Sequence, residues 1–255
     1  MIVFITGASS GFGAAMTKKF VQGGHQVIAT GRRKDRLEAL AASLAHGSTP
    51  TVLPIAMDVT DKNSIAAALA SLPAAWQSID ILINNAGMAL GTEPAHEASL
   101  EDWENMIATN CKGLVTMTRL LLPAMVQRGK GTIINIGSTA GAFPYPGGNV
   151  YGATKAFVDQ FTLNLRADLV GTGVRATNLA PGLSGGTEFS NVRYHGNDAA
   201  AAKVYEGTVP LSPEDIAEST YWVATLPPHV NINYLEMMPV CQGFSPFTIK
   251  RNISQ

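Results

Sequence analysis

Short runs rich in β-branched and other apolar residues alternate with amphipathic stretches along the whole chain. Seven runs read as strands, at 2–5, 26–30, 51–57, 79–83, 131–136, 174–179 and 232–237. Between them, apolar positions recur at helical spacing near 13–22, 34–45, 61–71, 100–127, 151–170 and 213–225. Strand and helix in strict alternation predict parallel strands joined by right-handed crossovers. The expected fold is an α/β single domain built on a doubly wound, mostly parallel, seven-stranded sheet. One stretch, 181–210, has few periodic features and is expected to be a loop insertion, its substrate-facing part at about 183–210.

The first strand leads into Thr6-Gly7-Ala8-Ser9-Ser10-Gly11-Phe12-Gly13. Glycines there let the chain turn tightly and let a phosphate approach the backbone, and the following helix offers free N–H groups to it. This is the arrangement of a dinucleotide-binding Rossmann fold, although the spacing is Gly-x-x-x-Gly-x-Gly rather than Gly-x-Gly-x-x-Gly. The second strand ends at Arg32-Arg33, where a fold for NAD usually carries Asp or Glu. Two guanidinium groups suit a 2′-phosphate and point to NADP. Asp58 after the third strand and Asn84-Asn85-Ala86-Gly87 after the fourth lie at carboxyl ends of strands, where such sheets bind ligands. Each is also an ordinary turn former or helix cap. The same first turn fits the Gly-x-Ser-x-Gly of a hydrolase elbow at Ser9, with His195 or His229 available as partners. Against this, no strand precedes it to build an oxyanion loop.

Chemistry concentrates between Ser138 and Lys155. Tyr151 and Lys155 stand four apart at the start of a helical pattern, so both face one side. A free phenol titrates near ~10, too high for a base at neutral pH. An ammonium at roughly 4 Å favours the phenolate by up to ~4 kcal/mol at an effective dielectric of about 20. Ser138, at the end of the fifth strand, reaches the same rim and is suited to hold a substrate oxygen beside the tyrosine. Pro181-Gly182 ends the sixth strand, with Thr187 beyond it, placed to contact a nicotinamide amide. Asn110 lies inside a helical pattern, where an amide bonds a neighbouring carbonyl or bends the helix.

Composition narrows the partners. Of 255 residues, 46% are hydrophobic and 15% charged, and the net charge is −1, which disfavours nucleic acid or anionic membrane as the main partner. No apolar run reaches the ~18 residues of a membrane span. Cys111 and Cys241, the two cysteines, read as buried free thiols in a reducing, cytoplasmic compartment. No metal site is expected.

The glycine turn, Asn84-Asn-Ala-Gly87, Asn110, Ser138, Tyr151-x-x-x-Lys155 and Pro181-Gly182, in this order, resemble the short-chain dehydrogenase/reductase family over essentially the whole chain. The stretches Ala29–Arg33, Gly91–His96, Gly147–Phe157, Gly185–Arg193 and Leu235–Pro239 are similar to its bacterial NADP-dependent 3-hydroxy acid dehydrogenases, which include serine and L-allo-threonine dehydrogenases. The resemblance implies that Tyr151 is the general acid/base, that Lys155 lowers its pKa, that Ser138 orients the substrate oxygen and that Asn110 holds a relay water. It implies NADP binding by Gly7, Ser9, Ser10, Gly11, Phe12, Gly13, Arg32, Arg33, Asp58, Val59, Asn84, Ala86, Gly87, Tyr151, Lys155, Pro181, Gly182 and Thr187. It further implies a homotetramer, with contacts on the helices near 105–127 and 151–170, although those stripes also suit an ordinary core. The expected reaction interconverts a small 3-hydroxy acid and its 3-oxo acid, with Arg193 as the candidate for the substrate carboxylate. Two other readings stand beside it: a reductase of uncharged ketones and a non-catalytic NADP-binding sensor.

Overall fold

The computed structural model describes residues 1–45 and 51–244. Its strands are β1 (Ile2–Ile5), β2 (Gln26–Gly31), β3 (Val52–Ala56), β4 (Ile81–Asn84), β5 (Gly131–Ile136), β6 (Val174–Pro181) and β7 (Tyr234–Met237). They form one sheet in the order β3-β2-β1-β4-β5-β6-β7. Every neighbouring pair is parallel, so a sheet expected to be mostly parallel is wholly so. The helices are α1 (Gly11–Gln22), α2 (Lys34–Ser43), α3 (Lys62–Ala70), α4 (Leu100–Ile107), α5 (Leu114–Arg128), α6 (Asn149–Asp168), α7 (Phe189–Arg193), α8 (Asp198–Lys203) and α9 (Pro213–Thr225).

Successive strand residues point to opposite faces, and both faces are covered by helices. Ile5 and Val27 pack with Met16 and Phe20 of α1 and with Ile216 and Val223 of α9. Phe4, Ile28 and Leu82 pack on the other face with Ile65 of α3, Met117 and Met125 of α5, and Leu165 of α6. Caps set where several helices begin. Asp61 accepts from Asn63 N before α3, Ser99 from Asp102 N before α4, and Ser212 and Asp215 form a reciprocal capping box ahead of α9.

Strand order reverses between β1 and β4, and the carboxyl ends of the strands on either side open a crevice there. Two segments differ from expectation. The stretch 100–127 is interrupted by a wide π-helical turn, Ala108–Gly113. Asn110 is drawn off the helix to bond Met88, and a Cβ on Gly113 would lie 2.9 Å from the Val59 carbonyl oxygen. The insertion expected to be irregular carries α7 and α8, which are too short to show an apolar repeat. Ser190 of α7 and Tyr205, just beyond α8, share a 2.6 Å hydrogen bond. Cys111 is half-buried and Cys241 exposed, so the second thiol is not in the core as expected; both are free. No helix among the described residues is long and apolar enough to cross a membrane.

Candidate active site

A cleft of about 750 Å³ runs along the carboxyl edge of the sheet, from the glycine turn to the start of α6. At one end Gly7 adopts φ +67°, and a Cβ there would meet the Ala86 backbone at 2.9 Å. Gly13 lies deeper, where a Cβ would come within 2.2 Å of the Gly7 carbonyl oxygen. Gly13 therefore lets α1 close on the turn and does not itself line the cleft. Ser10 precedes α1 without a side-chain cap, so the first N–H groups of the helix face the cleft. Thr6 Oγ1 accepts from the N–H groups of Asn85 and Ala86, each at 3.0 Å. Asn85 Nδ2 donates to the Thr6 and Gly7 carbonyl oxygens at 2.8 and 3.1 Å. Thr6 and Asn85 thus clamp β1 to β4 beneath the turn. Their signal was present in the Asn-Asn-Ala-Gly motif but not separable from that of Asn84.

Ser9, Ser10, Gly11, Phe12, Arg32, Arg33, Asp58, Val59, Ala86, Gly87, Pro181, Gly182 and Thr187 all line the cleft. Asn84 does not. Its buried amide donates to Thr118 Oγ1 and Asn135 Oδ1, so it joins strands and helix inside the protein. The Asp58 carboxylate accepts from Thr60 N and Oγ1 and shapes the turn after β3. Gly182 N donates to the Met237 carbonyl and Leu183 N to Gln242 Oε1. Thr187 Oγ1 accepts from Phe189 N at the start of α7. Arg33 crosses the turn: its NH2 donates to Ser10 Oγ at 2.8 Å and its NH1 to Glu188 Oε2 at 2.7 Å. Ser9 Oγ accepts from the same guanidinium, and among the described residues no histidine lines the cleft. The hydrolase reading fails on that arrangement. A glycine cradle, uncapped helix N–H groups and guanidinium groups at the end of β2 fit a dinucleotide carrying an additional phosphate.

At the other end Ser138 Oγ accepts from Ala140 N at 3.1 Å, and its hydroxyl stands near enough to the Tyr151 phenol to favour the phenolate by hydrogen bonding. Lys155 Nζ donates to the Ile136 carbonyl oxygen at 2.8 Å and lies 5.9 Å from the Tyr151 ring centroid. Both side chains are buried. Burial pushes the phenol up to about 12, against the Ser138 hydrogen bond that lowers it. Burial also brings Lys155 down to about 8. In the protein alone the phenol stands above its ordinary value because burial outweighs the groups that lower it, Ser138 and Arg193. Asn110 Oδ1 accepts from Met88 N and its Nδ2 donates to the Met88 carbonyl and to Thr154 Oγ1. A Cβ on Gly87 would lie 3.4 Å from Asn110 Oδ1 and 3.6 Å from Lys155 Nζ. The bare glycine keeps space open between those two groups.

Arg193, at the end of α7, sits 5.9 Å from the Tyr151 ring centroid. Its Nε donates to the Gly91 carbonyl oxygen, its NH1 to the Tyr145 hydroxyl at 2.9 Å and its NH2 to the Gly147 carbonyl oxygen. The Phe189 ring meets Tyr151 edge-on at 5.7 Å. Sequence reasoning missed Tyr145, Phe189 and Glu188, since nothing in their spacing distinguishes them from loop residues.

Residues 1–197 match the short chain dehydrogenase family. The chain is 60% identical over 252 residues to the NADP-dependent 3-hydroxy acid dehydrogenase of Salmonella typhi, covering 99% of this chain and 100% of that one. It is 50% identical to the serine 3-dehydrogenase of Agrobacterium fabrum, with 98% of each covered. Among solved structures, the closed form of a serine dehydrogenase complexed with NADP+ superposes with a TM-score of 0.96 at 60% identity, over 99% of this chain and 100% of that one. With a family match over most of its length and relatives this similar end to end, the chain belongs to the short-chain dehydrogenase family.

Proposed function

We propose that the protein is an NADP-dependent oxidoreductase that interconverts small 3-hydroxy acids, of the L-serine, L-allo-threonine and 3-hydroxypropionate type, with their 3-oxo acids. The observation that carries the substrate class is Arg193, a cation held beside the Tyr151 ring in the same cleft as Ser138. The similarity to 3-hydroxy acid and serine dehydrogenases supports it.

NADP+ when bound supplies the hydride acceptor. Residues Gly7, Ser9, Ser10, Gly11, Phe12, Arg32, Arg33, Asp58, Val59, Ala86, Gly87, Pro181, Gly182 and Thr187 would hold it along the cleft. Gly13 and Asn84 act by supporting that wall. Ser138 donates its single hydroxyl proton to the phenol in the free enzyme and to the substrate oxygen once substrate is bound, so that Tyr151 Oη takes the substrate's hydroxyl proton in oxidation and returns it in reduction. Lys155 and Asn110 border the space beside Gly87, through which the proton leaves Tyr151. Phe189 covers the phenol and keeps bulk water from it. Arg193 fixes the carboxylate, its guanidinium oriented by Tyr145, Gly91 and Gly147.

The oligomer we propose is a homotetramer, supported by exposed apolar side chains on α5 and α6, among them Leu120, Phe157 and Leu163. Two free thiols support a cytoplasmic location. A reductase of uncharged ketones remains the second reading, since the tilted rings of Phe143 and Phe244 pack 4.7 Å apart beside the same cleft.

Initial rates at 340 nm with L-serine, 3-hydroxypropionate and a neutral secondary alcohol test the assignment. The acids are expected to turn over with NADP+ in preference to NAD+. Arg193→Gln is expected to raise KM for the acids by roughly tenfold or more, as loss of a charge-assisted pair implies, while sparing the alcohol. Turnover of the alcohol alone would move the protein to the second reading.

A further inference from the structure

Glu188 holds two arginines at once. Its Oε2 accepts from Arg33 NH1 and its Oε1 from Arg36 NH1, both at 2.7 Å. Arg33 is the guanidinium that also bonds Ser9 and Ser10 on the phosphate turn. The carboxylate therefore occupies part of the hydrogen-bonding fork that a 2′-phosphate would use. Arg33 lines that end of the cleft, whereas Arg36 holds the other carboxylate oxygen from α2.

Glu188 is also the residue from which α7 starts. The Val192 N–H donates to the Glu188 carbonyl oxygen at 2.9 Å, Phe189 lies against Tyr151, and Arg193 closes the helix at the substrate end. One short helix thus links the turn at Ser9 and Ser10 to the chemistry at Tyr151. The link runs through two salt bridges with Glu188, whose carboxyl those arginines hold down to about 2.

We propose that Glu188 is a positioning residue that competes with the 2′-phosphate of NADP for Arg33, so that filling the phosphate site loosens the tether on α7 and lets it readjust over Tyr151. This rests on the NADP assignment above. Glu188 lowers affinity for the phosphorylated cofactor and in exchange couples its arrival to the substrate end. A cofactor without the 2′-phosphate would leave the Glu188 pairs intact and α7 tethered.

Calorimetric binding of 2′,5′-ADP and 5′-AMP to the whole protein tests this without turnover. Wild type is expected to prefer 2′,5′-ADP. Glu188→Gln is expected to tighten 2′,5′-ADP by roughly twofold to fivefold, the range of a partly exposed charge pair, and to leave 5′-AMP unchanged. No preference in wild type would overturn the NADP assignment and this proposal with it. A preference that Glu188→Gln leaves unaltered or weakens would overturn the proposal alone. As a second readout, amide hydrogen exchange at Val192 and Tyr194 is expected to quicken when 2′,5′-ADP, which lacks the nicotinamide half, binds wild type. In Glu188→Gln it should be fast already. Exchange that slows or stays constant in wild type would show that the phosphate does not displace the carboxylate.

Discussion

Tyr151 shows how burial can outweigh a charge argument made on spacing alone. One helical turn brings Lys155 near the phenol, yet its Nζ is 5.9 Å from the ring centroid and bonded to the Ile136 carbonyl. Desolvation dominates the phenol, which stands at about 12. The group on the protein that lowers it by hydrogen bonding is the Ser138 hydroxyl. Ser138 stabilises the phenolate, so its removal raises the tyrosine pKa. In Ser138→Ala the rise of kcat/KM with pH in the oxidative direction is expected to move to higher pH. At neutral pH, kcat is expected to fall by roughly 10² to 10³, as when one donor to a developing oxyanion is removed. A pH profile with the wild-type midpoint would confine Ser138 to the substrate oxygen. Arg193 was legible as a residue type that a short acid would need, but its proximity to Tyr151 was not, because 42 positions of chain separate them.

Among elements, the glycine turn is the most constrained. Gly13 faces backbone atoms, the Gly7 carbonyl oxygen at 2.2 Å and Ala8 Cα at 2.7 Å from a Cβ, which cannot move aside as a flexible side chain would. Gly13→Ala is expected to destabilise the protein by about 1–3 kcal/mol. For a chain of this size that lowers Tm by about 2–4 °C per kcal/mol. Thermal unfolding without cofactor would read it, and an unchanged Tm would mean that α1 shifts without cost. The wide turn at Ala108–Gly113 obeys the same kind of local demand. A helical period can be read through it unbroken, since the apolar positions continue on both sides. Only the bonds from Asn110 to Met88 reveal that the helix opens there. The helices α7 and α8 escaped the pattern for a related reason: five or six residues complete too few turns to repeat.

At the scale of the whole molecule, the all-parallel sheet places every chemically active loop on one edge, and the cleft crosses it at the reversal between β1 and β4. A ligand that spans this cleft joins the turn before α1 to the start of α6 and should stabilise the fold by mass action. NADP+ at a hundred times its Kd is expected to add about 2.7 kcal/mol. That corresponds to a rise in Tm of about 5–10 °C at this chain length. NAD+ at the same concentration is expected to add less, and equal shifts would remove the role given to Arg32 and Arg33.

The order of strands and helices, the glycine turn, the Tyr151–Lys155 pair and the basic end of β2 were all determined by sequence alone. Each rests on a local rule, either the period of apolar positions, the steric freedom of glycine or the chemistry of a residue type at a strand end. Tertiary structure decided the rest: that Asn84 turns into the core while Asn85 holds the turn, that burial raises Tyr151, and that Glu188 spans Arg33 and Arg36. Those outcomes depend on which distant segments meet and on how much water they exclude, and neither quantity is encoded in any short window of the chain.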